Sequence, residues 1–100
     1  MINPFSFLIY AISSKNDEIV ETIMSTLHFD GLDDTSKNSI LIYACNYGNN
    51  KVLEEILKTD VDLNCKDHNN NTPLSLALKR GHEDIAKSIL NINEIGRAHV

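Results

Sequence analysis

Apolar positions along this chain fall into two stripes that return every 33 residues. Placing Ser6, Ser39 and Thr72 in register aligns three segments without a gap. They are SFLIYAISSKNDEIVETIM (6–24), SILIYACNYGNNKVLEEIL (39–57) and TPLSLALKRGHEDIAKSIL (72–90). The first two agree at 8 of 19 positions and the last two at 5 of 19, at the same spacing. Two independent offsets that agree identify an internal repeat, and the repeat has to be recognised before helices are assigned.

Within each copy the first stripe pairs a leucine with an alanine three residues on: Leu8/Ala11, Leu41/Ala44 and Leu74/Ala77. That spacing is one face of a short helix, and the alanine lets a neighbouring helix approach closely. Ser6, Ser39 and Thr72 stand where an N-cap hydroxyl would accept a first-turn N–H, and Pro73 suits the first helical position. The second stripe reads Ile19, Val20, Ile23, Met24; Val52, Leu53, Ile56, Leu57; Ile85, Ala86, Ile89, Leu90. Its i, i+1, i+4, i+5 spacing is helical again. Between the stripes lie Lys15-Asn16, Gly48-Asn49 and Gly81-His82. A glycine there takes the left-handed conformation that ends a helix, and Asp17, Glu18, Glu83 and Asp84 then favour the next N-terminus.

Each copy is therefore expected to be two short antiparallel helices joined by a tight turn. Helices of that length are marginal alone, so stability must come from stacking pair on pair. The connectors STLHFDGLDDTSKN (25–38) and KTDVDLNCKDHNNN (58–71) are long and polar, longer than a plain helical hairpin array uses. Asn70 or Asn71 is suited to a left-handed turn position. The fold expected is an all-α repeat solenoid in one domain over 1–93, with repeats at about 6–38, 39–71 and 72–93.

Composition narrows the function. The chain has 100 residues, a net charge of −5 and no run of lysine or arginine. Nucleic acid is disfavoured as a partner because a phosphate-binding surface needs a basic patch. No apolar stretch reaches the 18 residues of a membrane span. The apolar start precedes its first basic residue, Lys15, so it reads as core material rather than a signal peptide. Cys45 and Cys65 match neither a disulfide scaffold nor a zinc-site spacing, which suggests a reducing, intracellular setting such as the cytoplasm.

These residues resemble the ankyrin repeat. The period, TPL at 72–74, Ala77, GH at 81–82, and VDLNCKD at 61–67 ahead of the next NTPL all look like that family's pattern. The likeness covers residues 6 to about 91; the tetratricopeptide repeat, at 34 residues, lacks both this loop and the T-P-L opening. The resemblance implies that each connector forms a β-hairpin finger, and that fingers and first helices line a concave surface. There are departures. Ile9, Ile42 and Ser75 replace the histidine of T-P-L-H, Lys37 and Asn70 stand at a turn glycine, and Lys15 replaces the glycine between the first two helices. Connector 25–34 loses most of the loop motif, so its finger is expected to be irregular.

No catalytic set is visible. His28, His68, His82 and His99 are scattered, and His82 reads as a turn residue. Asp33, Asp34, Asp60, Asp62 and Asp67 sit in loops without the calcium-loop arrangement, and read as solvated charge. Cys45 reads as a small core residue; Cys65, in a finger, has only Lys66 beside it to activate the thiol. No cofactor, metal or small-molecule substrate is implied. Candidate partner-binding residues are finger positions Ser36, Asn38, His68, Asn69 and Asn71, with Asp34, Thr35 and Asp67 beside them. The last turns of the first helices add Asn46, Tyr47, Lys79 and Arg80, with Ser13 and Ser14 their counterparts in the first copy. Tyr47 is the best single anchor, because aromatics and arginine dominate interface energetics. The alternative for Tyr47 is packing against Arg80 or a neighbouring helix.

The last seven residues, EIGRAHV (94–100), leave these patterns. They back-translate to GAG ATC GGA AGA GCA CAC GTC, the start of a common sequencing-library adapter, with TGA next in frame. They are read as a non-native tail, with the natural frame continuing past Asn93; a natural in-frame stop after Val100 in genomic DNA would refute this. Beyond the third pair, the Ile85/Ile89 stripe would then lack its next neighbour. The function expected is a non-catalytic scaffold for a protein partner. The alternative is a regulatory or targeting segment of a larger enzyme or effector, which catalytic motifs downstream would reveal.

Overall fold

The computed structural model describes residues 4–26 and 29–98. His28, His99 and the last two positions of the 94–100 tail lie outside the described residues. Six helices run in three antiparallel pairs: α1 (Pro4–Ser14) with α2 (Asp17–Thr26), α3 (Asp34–Tyr47) with α4 (Asn50–Leu57), and α5 (Pro73–Lys79) with α6 (Glu83–Ala98). First helices stack in the order α1, α3, α5, and α4 meets α6 behind them. No strand occurs among the described residues. The long connectors are thus built from turns rather than β-hairpins.

The turns within each pair obey the period. Gly48 and Gly81 both have φ of 78°, and Lys15, at the same register, has φ of 59°. The N–H of Lys15 donates to the Ile12 carbonyl, and that of Asn16 to the Ala11 carbonyl. These bonds close the end of α1 although lysine pays the steric penalty of a left-handed Cβ. The following residue caps the next helix: Asn16 Oδ1 accepts the Ile19 N–H at 3.2 Å, and Asn49 Oδ1 the Val52 N–H at 3.0 Å.

Helix starts depart from the expected caps at two of three copies. Thr72 does cap α5, in a reciprocal pair with Ser75. Ser6 and Ser39 lie inside α1 and α3 instead. α3 begins at Asp34 because Asp33 accepts the Ser36 N–H at 3.1 Å and nothing from 34 to 40 interrupts a helix. At α5 the start is held at Pro73, since proline disfavours a helical residue before it. The first connector therefore supplies no finger at 34–38: it makes one 3-10 turn, Phe29–Gly31, and then enters the helix.

Burial follows the repeat position. Ala11, Ala44 and Ala77 are all buried, as are Val20, Leu53 and Ala86. Each large aliphatic side chain so buried contributes about 1.5–3 kcal/mol, which helices of this length cannot supply alone. Two registers change along the stack. Ile12 and Cys45 are buried but Leu78 is 61% exposed; Ile19 is 46% exposed but Val52 and Ile85 are buried. One register therefore faces the following copy and the other the preceding copy. This corrects the expectation for the third pair: Ile85 and Ile89 point back into the stack, and its outer side carries Leu78 and Leu90. Helix α6 continues through residue 93 to Ala98.

Candidate functional site

The connector after α4 is a compact loop ordered by one carboxylate. Asp67 Oδ1 accepts the Asn69 N–H at 2.9 Å and the Asn71 N–H at 2.8 Å, while Oδ2 accepts from Asn71 Nδ2 at 3.3 Å. The Asp67 N–H donates to the Asn71 carbonyl, closing a tight turn in which Asn70 has φ of 70°. The bonds from Asn71, backbone foremost, hold the Asp67 carboxyl below its usual pKa.

An open groove of about 530 Å³ runs between this loop and the outer side of α3. One wall is the loop, Cys65 to Asn69; the other carries Thr35, Asn38, Ser39, Ile42, Tyr43, Asn46 and Tyr47, with Leu76 contributed by α5. Tyr43 and Tyr47, one helical turn apart, stack with centroids 6.1 Å apart and planes 6° from parallel. Parallel rings at this spacing are offset-stacked, a favoured arrangement in which each side chain restricts the other's rotamer.

Of the residues expected to bind, the structure brings Asn38, Asn46, Tyr47, His68 and Asn69 into this one groove. Arg80 stands beside it, its Nε donating to Asn46 Oδ1 at 2.8 Å. Lys79 and Asn71 are joined to each other, Nζ to Oδ1, at 3.1 Å. Neither lines the groove, and Asn71 acts as a brace for the loop. Ser36 and Asn38 are not finger residues: both sit in the first turns of α3, with Ser36 engaged by Asp33. Asn38 reaches the groove from the helix instead. Tyr47 packs on Tyr43 of its own helix, and Arg80 is taken up by Asn46.

Sequence reasoning missed Tyr43 and Ile42 as lining residues. The signal was available: Tyr43 lies four residues before Tyr47, and Tyr10 precedes it by one period. Tyr10, at that position in the first copy, is 71% exposed.

His82 has a structural position. Its ring lies over Gly48, so close that a Cβ there would sit 2.6 Å from Cε1. Its Nε2 is 3.2 Å from the Asn46 carbonyl oxygen, which makes Nε2–H the donor there. Burial pushes the Cys45 thiol up to about 12, with Cys65 adding to it; burial and then Asp62 raise Cys65 as well. Both therefore stay protonated thiols at neutral pH and are poor nucleophiles. Among the described residues no group of three or more His, Cys, Asp or Glu could hold a metal. No described helix is long and apolar enough to cross a membrane.

Stacked helix pairs of fixed period with a groove formed by first helices and connecting loops define a helical repeat scaffold. The chain belongs to the ankyrin-repeat family: the family model for ankyrin repeats in three copies matches residues 6–98. A search of curated proteins found no match. Ankyrin repeats are in general protein–protein interaction modules, and the family is typically non-catalytic.

Proposed function

We propose that this chain is a non-catalytic scaffold that holds a protein partner by seating a segment of it in the groove between α3 and the 65–69 loop. The observation that carries the reading is the pairing of a rigid aromatic wall, Tyr43 and Tyr47, with a loop already ordered by Asp67. A surface arranged before binding loses less conformational entropy on association. Aromatic side chains supply large contact area at low entropic cost. The setting proposed is a reducing, intracellular one such as the cytoplasm, in which Cys45 and Cys65 remain free.

The test is a photo-crosslinking residue placed at Tyr47 or, as a control, at the exposed Glu54 of α4. The expected outcome is discrete protein adducts in cell extract from the Tyr47 position and not from Glu54. Absence of adducts at Tyr47, or equal labelling from both positions, refutes the groove as the contact surface.

A further inference from the structure

We infer that the segment seated in this groove carries a large apolar or aromatic side chain and, two residues along, a carboxylate. The inference rests on the groove being the partner site, and adds to it the chemistry of the partner.

The charge around the groove is uneven. The chain as a whole carries −5, yet Lys66 lines the groove and Arg80 and Lys79 stand at the α5 side. The acid within it, Asp67, already accepts three hydrogen bonds from Asn69 and Asn71. Its capacity is turned inward. Arg80 is the opposite case: Nε is fixed on Asn46 at 2.8 Å, and its terminal nitrogens donate to no described residue. A guanidinium tethered by one nitrogen keeps a planar pair of donors free, the geometry that takes a carboxylate two-pronged. Asp62 bears on Cys65 from the loop side, and a further acid, Asp34, begins α3 outside the groove's lining. It is 12 residues from Asn46, about 18 Å along the helix axis, and it marks the opposite, acid-rejecting end.

The spacing follows from the helix. Asn46, which holds Arg80, lies three residues after Tyr43, so their Cβ atoms are about 5–6 Å apart. An extended peptide rises about 3.3 Å per residue and returns side chains to one face every second position. Side chains two residues apart on an extended segment, about 6–7 Å, match that Cβ spacing, so the inferred segment sets its apolar side chain by Tyr43 and its acid by the Arg80 held at Asn46.

The experiment measures fluorescence anisotropy of the full chain with three labelled ten-residue Gly/Ser peptides. Their centres are Phe-Ser-Glu, Phe-Ser-Lys and Ala-Ser-Glu. Phe-Ser-Glu is expected to bind about tenfold more tightly than either alternative, the worth of one charge-assisted contact against Phe-Ser-Lys and of one buried apolar side chain against Ala-Ser-Glu, with the margin over Phe-Ser-Lys shrinking as salt is added. Arg80→Glu should reverse the order of the Glu and Lys peptides, and Tyr43→Ala should weaken both Phe peptides. Arg80 is exposed, so circular dichroism of Arg80→Glu and Arg80→Gln should match the parent. Equal binding of the Glu and Lys peptides, or a preference unmoved by Arg80→Glu, overturns the inference. If that binding still falls with Tyr43→Ala, the groove reading survives without its acid. No binding by any peptide at millimolar concentration also overturns it; the Tyr47 crosslink then decides separately whether the groove is a partner site.

Discussion

The stretches Asp34–Ser39 and Asp67–Thr72 occupy the same register in consecutive copies, and they fold differently. Asp34-Thr-Ser-Lys-Asn-Ser is the start of α3, whereas Asp67-His-Asn-Asn-Asn-Thr is a tight turn ending in a cap. Two substitutions separate them physically. At the fourth position Asn70 accepts a left-handed backbone at modest cost, and Lys37 does not. At the seventh, Pro73 stops a helix from extending backward, and Ile40 permits it. Yet Lys15, also a lysine at a position suited to glycine, does take φ of 59°. The difference is enforcement. Lys15 is flanked by two helices whose buried faces pack on one another, while Lys37 has a helical alternative capped by Asp33. A repeat position dictates backbone conformation only where packing on both sides leaves no alternative.

The sharpest way to break this comparison is to give α3 the proline of α5. Ile40→Pro should cost about 3 kcal/mol or more, because it removes a helical donor and sets its ring against the Ser36 carbonyl. Urea unfolding should show the loss, and far-UV circular dichroism should lose about a turn of helix. If helicity is unchanged, Pro73 is not what holds the start of α5. Second in size is a pair at the hinges. Gly81→Ala meets open space and should cost only the left-handed strain, about 1–2 kcal/mol. Gly48→Ala must in addition push the His82 ring away from the Asn46 carbonyl, so its thermal midpoint should fall further. Equal midpoints would remove His82 from the account.

A smaller effect should have the opposite sign. Lys15→Gly relieves the strained turn and should stabilise by up to about 1 kcal/mol, read as a raised urea midpoint. Lys15→Ala keeps the Cβ and should bring no such gain. The smallest effect concerns the loop carboxylate. The folded-state pKa of Asp67 is lowered, so the stabilisation is fully present above its ordinary value of 3.8. It disappears as pH falls through the lowered folded value. The stability gap between parent and Asp67→Asn should thus be full at neutral pH and close in the acid range below 3.8. A gap that persists there would mean that asparagine loses something other than charge.

The helix pairs, their hinges and the left-handed Asn70 were legible in the sequence because each rests on local physics repeated three times. The start of α3 was not, since it depends on which of two local structures wins. Asp33 as a cap and Lys37 as a helix former point the same way, but only against a register that suggested a finger. The groove was half legible. Tyr47, Asn46, His68 and Asn69 were recognised from variation on a constant frame, and Asn38 was placed in it for the wrong reason. Tyr43 was passed over because its register also serves packing, as buried Leu76 shows one copy later. Which outer residues stay uncovered depended on the direction of stacking. That direction separates Leu78 from Ile12 and Cys45, and no single copy reveals it.

The His82 ring over Gly48 has a consequence for anyone who would rearrange these copies. The seam between the second and third units is keyed: one side must offer a residue without a side chain and the other a flat ring able to donate to Asn46. A copy whose first helix ends at Lys15 cannot receive that ring, and one whose second helix follows Asn16 or Asn49 cannot supply it. Duplicating, deleting or transplanting units here therefore works only if the cut carries hinge and ring together. The interchangeable part is the joint between neighbours rather than the 33-residue copy.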